Sequence, residues 1–214
     1  MRSFFHPDQH DHDPKHFPAA GLAKPNPEQP ARVEALLGAL GRLGGTVETP
    51  AEVVLGGERA AYALRRPPGH HGNGRQSVFY ARGDVLTVSV HTDPAGFYPF
   101  SWRHAHASGE GPGLGANRNR PISRGKGDQG FLVTVDRGLA RIGAFGTDVL
   151  VIALGLDAYE GHPFAGLTFI TPGLARMATA IVGLDLPSVI VQKGGHLCPE
   201  LGANLESFLG ADAP

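Results

Sequence analysis

The sequence is short of cysteine, aromatic residues, net charge and long apolar runs, and each shortage removes a class of protein. Cys198 is the single cysteine in 214 residues, so an intramolecular disulfide is excluded and a reducing, cytoplasmic setting is expected. The 19 basic and 20 acidic side chains leave a net charge of −1. Such a balance creates no broad field for nucleic acid or an anionic membrane, so neither is expected as a partner. No run of about 18 uninterrupted apolar residues is present, which argues against a membrane span. The opening Met1-Arg2-Ser3-Phe4-Phe5-His6 lacks the apolar stretch of a signal peptide. Aromatics are only 7%, whereas Gly (31) and Pro (18) are abundant, so many loops on a modest core are expected and function should sit on them. The length suits one sizeable core. Residues 1–214 are therefore read as one domain, with 1–27 as an irregular arm rich in His, Asp and Pro. The composition leaves a homo-oligomer open.

Past the arm, periodicity takes over. Val33, Leu36, Leu37, Leu40 and Leu43 recur at helical spacing between Glu28 and Leu43. Val53-Val54-Leu55 and Ala61-Tyr62-Ala63-Leu64 suit short strands, and Val85–Val90 a better one. Gly109–Gly127 reads as loop. Phe131, Leu132, Val135, Leu139 and Ile142 mark a helix closed by Gly143 and Gly146. Val149–Leu154 and Val189–Val191 are apolar enough for strands covered on both faces. Leu174, Met177, Ala178 and Ile181 give a further helix, and Leu201, Leu205, Phe208 and Leu209 the last, started by Pro199-Glu200. Strand and helix alternate from residue 85 onward, which predicts an α/β fold with a mainly parallel sheet flanked by helices.

Ligands of open parallel sheets bind beyond the carboxyl ends of the strands. Asp157 follows one strand through Gly155-Leu156, and His196 follows the next through Lys193-Gly194-Gly195. An Asp at a strand end is as often a helix cap, but Asp157 beside a Gly-Gly-His loop points to a site. His91 and Asp93 follow the Val85–Val90 strand; His91 is read as structural, bonded to a loop carbonyl. The run Arg66-Pro67-Pro68-Gly69-His70-His71-Gly72-Asn73-Gly74 holds two imidazoles between turns stiffened by proline and opened by glycine. A bare His-His pair is usually a polar loop; these flanks favour a proton-transfer site. Carboxylate and imidazole suit a zinc ion that activates water, and His196 on its glycine loop could stabilise an oxyanion. No His-Glu-x-x-His helix and no Asp-x-His pair accompany Asp157.

Several motifs resemble the histone deacetylase superfamily: Arg66–His71, Gly72-Asn73-Gly74, His91-Thr92-Asp93-Pro94 and Gly155-Leu156-Asp157-Ala158. Phe5-His6-Pro7-Asp8, Tyr98-Pro99-Phe100, Gly115–Asn119 and Gly194–Gly202 are similar to its acetylpolyamine amidohydrolase-like branch. The resemblance implies a deacetylase-type (arginase/deacetylase-like) fold in shortened form. It also implies a zinc-dependent amidohydrolase that removes acetyl groups from a small acetylated amine or acetyl-lysine. Its roles map His70 and His71 to general base and acid partner, and Asp157 to a zinc ligand. His196 falls where the family has a tyrosine that polarises the acetyl carbonyl.

One departure is large. The resemblance requires a strand with Asp-x-His zinc ligands between the Pro-Gly-His-His and the Gly-Asn-Gly, and here a single His-His serves both motifs. If the pair belongs to the first motif, His70 and His71 are catalytic; if to the second, His70 becomes a zinc ligand. Pro68 occupies the aspartate position two residues before His70. A second reading therefore stands beside the first: a weak or inactive member that binds a ligand without turnover.

Overall fold

The computed structural model describes residues 2–4, 15–19, 22–25, 30–43, 46–48, 73–95, 105–163, 166–192 and 194–211. The short strands proposed at Val53–Leu55 and Ala61–Leu64, and His70 and His71, lie outside these residues. Within the first 27 residues the structure corrects the expectation of an irregular arm. Strand β1 (Arg2–Phe4) pairs in parallel with β4 (Thr46–Glu48), while β2 (His16–Ala19) and β3 (Leu22–Pro25) form an antiparallel ladder. The β2–β3 register closes at Ala19↔Leu22, a two-residue connection of the length that tight hairpins use. Pairing partners decide such short strands more than composition does.

Helix α1 (Ala31–Arg42) begins after Pro30 and buries Ala39, with Leu36 and Leu40 packed on the core. Its partner is α5 (Leu201–Leu209), which buries Leu201, Leu205 and Phe208 at i, i+4 and i+7. The backbones approach so closely that a methyl group at Gly202 would stand 3.2 Å from the Ala35 carbonyl. A short helix, α2 (Asn73–Phe79), precedes β5 (Thr87–Thr92). Helix α3 (Asp128–Phe145) buries Phe131 and Val135 and ends at Gly146, whose φ of 75° is the left-handed cap that glycine favours. Gly143, anticipated as a stop, lies inside it. Helix α4 (Thr171–Val182) has Pro172 in its first turn and buries Leu174, Met177 and Ala178.

Strand β6 (Asn117–Ile122) occupies the stretch expected to be loop, pairing in parallel with β5 from Thr87↔Asn117 to Thr92↔Ile122. Apart from Ile122, nothing in Asn-Arg-Asn-Arg-Pro-Ile favours a strand by propensity. Its asparagines are held instead: Thr87 Oγ1 donates to Asn117 Oδ1 at 2.6 Å, and Asn119 Nδ2 donates to Gln76 Oε1 at 3.1 Å. Strands β7 (Leu150–Leu154) and β8 (Ser188–Gln192) form the other parallel pair. The α/β architecture of parallel strands flanked by helices is as anticipated, but the described strands form four two-stranded sheets. Nor are β7 and β8 covered on both faces. Val151 is 58% exposed, and Val189 and Ile190 are exposed too. Alternate residues of β7 face opposite sides; Leu154 is buried, whereas Val151 on the other side is exposed.

Candidate metal centre

Asp157 is delivered by β7, which ends at Leu154; buried Leu156 anchors the turn that follows. Two glycines then explain how the carboxylate is held. The Gly194 backbone runs so close that an added methyl group would overlap Asp157 Oδ2. Gly195 adopts φ +104°, a conformation that costs glycine little, and its N–H donates to Asp157 Oδ1. A side chain at Gly195 would meet Leu156 Cβ and Leu201 Cδ1 at 2.9 Å. The Gly-Gly pair after β8 is therefore a backbone cradle for the carboxylate presented by β7. Arg32 of α1 secures it from outside, donating through Nε to the Gly195 carbonyl and through Nη2 to the Gly194 carbonyl at 3.3 Å.

Beyond Asp157 the chain doubles back. The His162 N–H donates to the Tyr159 carbonyl at 3.0 Å, and the Glu160 N–H donates to the Phe169 carbonyl at 2.9 Å. Tyr159 and Phe169 form a parallel bridge. At Gly161 a Cβ would lie 2.7 Å from Tyr159 Cε1 and would push that ring aside. This loop returns His162 to Asp157, with Nε2 3.2 Å from Oδ1. The same Nε2 lies 2.7 Å from His196 Nδ1. The Asp157 and His162 side chains are 6% and 3% exposed, and His196 is equally buried. A cavity of about 250 Å³ reaches this cluster, walled by Val88, Val90, Phe131 and Leu154 and meeting Asp157 and Gly194.

The structure thus brings together Asp157 and His196, predicted on separate strands, and adds His162, which the sequence reading missed. The available signal was weak: a lone histidine five residues past Asp157, in the Gly-His-Pro at 161–163. His91 sits inside β5 rather than beyond it, buried, with Nδ1 3.1 Å from Ser89 Oγ. Asp93 Oδ1 accepts the Ala95 N–H at 2.9 Å and turns the chain. Around the cluster, burial pushes the Tyr159 hydroxyl above its ordinary range, with Glu200, Glu160 and Cys198 adding to the effect. Burial also raises the Cys198 thiol, opposed by backbone hydrogen bonds from Glu200 and Leu201.

One ligand atom each from Asp157, His162 and His196 lies within 4.8 Å of the others. Zinc with bonds of about 2.0–2.1 Å in tetrahedral geometry holds its ligand atoms roughly 3.3 Å apart. The Asp157–His162 separation already matches that value, the two imidazoles would have to part by about half an ångström, and Asp157 and His196 stand within 4.8 Å of each other. This donor set fits zinc.

Fold and site define a class: an α/β domain with a buried carboxylate–imidazole cluster at the carboxyl ends of parallel strands. The chain belongs to the histone deacetylase family, whose domain matches residues 69–211. It is 39% identical over 198 residues to an acetylpolyamine amidohydrolase of Burkholderia pseudomallei, covering 75% of this chain and 58% of that protein. It is 36% identical over 140 residues to acetylpolyamine amidohydrolase 1 of Pseudomonas aeruginosa, covering 65% of this chain and 40% of that one. The chain thus spans less than two thirds of the length of these relatives. A crystal structure of the Burkholderia pseudomallei acetylpolyamine aminohydrolase superposes with a TM-score of 0.88 at 24% identity, covering 99% of this chain and 98% of that one. That likeness establishes the fold.

Proposed function

We propose that this chain is a zinc-dependent amidohydrolase that removes acetyl groups from acetylated amines of the acetylpolyamine or acetyl-lysine type, in the cytoplasm. The observation that carries the proposal is the buried Asp157 carboxylate, held by the Gly194-Gly195 cradle against two buried imidazoles. The names of the relatives supply the substrate class. Bound zinc would act as a Lewis acid and lower the pKa of a water molecule.

The chain's own residues do the rest. Asp157 supplies the negative charge, and its orientation is fixed by the Gly195 N–H and the crowding of Gly194. Val88, Val90, Phe131 and Leu154 wall the cavity beside that carboxylate, and a surrounding of low polarity strengthens the field of a charge. His70 and His71 are the proposed proton-transfer pair, taking a proton from water and returning it to the leaving amine.

Protein stripped by a chelator should release acetate from an acetylated diamine or an acetyl-lysine peptide only after zinc is restored. Asp157→Ala should lower that release at least about tenfold, beyond what a change in folded fraction explains. Equal turnover by stripped and reloaded protein overturns the proposal. The competing reading, a binding member without turnover, rests on Pro68 standing where the resemblance has an aspartate. Saturable binding of the acetylated amine with no acetate released decides for it.

A further inference from the structure

The resemblance leaves this chain with one zinc ligand, Asp157, and a gap where the Asp-x-His pair should be. The structure places two other donors around that carboxylate. We infer that the metal of this chain is held by Asp157, His162 and His196. On this assignment two histidines from the loops after β7 and β8 replace the missing pair, and His196 is a ligand rather than the group that polarises the acyl carbonyl. The choice of zinc rests on the functional reading proposed above; the ligand set rests on geometry.

The central atom is His162 Nε2. It faces Asp157 Oδ1 at 3.2 Å and His196 Nδ1 at 2.7 Å. An imidazole nitrogen carries at most one proton, so it cannot serve both neighbours with a full hydrogen bond. A cation drawn in among the three atoms meets the lone pairs of both rings and the carboxylate charge together. Two imidazoles and one carboxylate make a catalytic three-ligand set, with the fourth position left for water. The cavity lined in part by Asp157 and Gly194 borders the carboxylate ligand.

The three donors are also rigidly placed. Asp157 is fixed by the glycine cradle, and His162 by its N–H to the Tyr159 carbonyl and the Tyr159–Phe169 bridge. His196 follows Gly195, whose carbonyl is held by Arg32. Ligands supported in this way need little rearrangement to accept an ion.

Titration of the metal-free full chain with Co(II) tests the assignment. The unmodified chain should bind one Co(II) and develop the visible band of a tetrahedral site. His162→Gln and His196→Gln, each checked for folding by circular dichroism, should weaken binding by more than the roughly 10–100-fold that loss of a ligand's supporting partner costs. His106→Ala, at an exposed position, should bind as the unmodified chain does. X-ray absorption of the unmodified zinc protein needs no variant to fold, and should count two imidazoles and one carboxylate.

Zinc-dependent acetate release with unchanged metal affinity in His162→Gln overturns the ligand set while the hydrolase reading stands. Three-ligand binding without acetate release supports the set and sinks the hydrolase reading. Failure of the unmodified chain to bind Co(II) or zinc overturns the inference.

Discussion

Gly194 decides more about Asp157 than any side chain does. Gly194→Ala would drive its methyl group into Oδ2, and overpacking of this kind typically costs about 1–3 kcal/mol. Zinc affinity should fall at least about tenfold in titrations against a competing chelator. Gly146→Ala, at the left-handed cap of α3, should cost about 1 kcal/mol in thermal melts and leave zinc affinity unchanged. Cys198 offers a pH test. Its thiol is raised from an ordinary 9.0, first by burial, so the fold favours the neutral form. The resulting stabilisation is complete below pH 9 and is lost as the pH climbs through the folded value. Alkylation by iodoacetamide should therefore be slower at pH 8 than for an unfolded control, and should go on rising with pH past the point near 9 where the control levels off. Asp157 and His196 were legible in the sequence because each follows a strand through glycine. His162 was not, because only the return of the loop through Tyr159, Gly161 and Phe169 makes a lone histidine its neighbour.

The loop between β7 and α4 is the element on which the site depends, and Phe169 is its anchor. Phe169 is fully buried, its ring 4.4 Å from that of Phe131, and its backbone bridges Tyr159. Phe169→Ala should cost about 3–5 kcal/mol in denaturant unfolding. It should also weaken zinc binding, because the turn that presents His162 loses its support. A second buried residue, Phe208 of α5, should when changed to Ala cost a similar amount without that loss of affinity. Helices were the most legible elements: Leu174, Met177 and Ala178, or Leu201, Leu205 and Phe208, announce a buried stripe by spacing alone. Strands without such patterning were not. Strand β6 is made by Asn117 and Asn119 finding Thr87 and Gln76, partners that no local window contains. Among the described residues, the strands at Arg2–Phe4 and Thr46–Glu48 pair only with each other.

For the molecule as a whole, a metal bound to the folded state alone must raise its stability. Free zinc at 100 times its dissociation constant contributes about 2.7 kcal/mol. A chain of this size gains about 2–4 °C in melting temperature for each kcal/mol. Chelation should therefore lower the melting temperature by roughly 5–10 °C, and Asp157→Ala should abolish the difference. The α/β class and the family were readable because the motifs from Arg66 to Gly202 stand in the family's order. The arrangement of sheets was not, because pairing depends on which strands remain to be paired. Acetate release measured against zinc added to the stripped chain, in parallel with Asp157→Asn, tests the central claim most directly. Release rising to a plateau at one zinc per chain, and absent in Asp157→Asn, is the result predicted; release that persists without zinc or survives Asp157→Asn would contradict it.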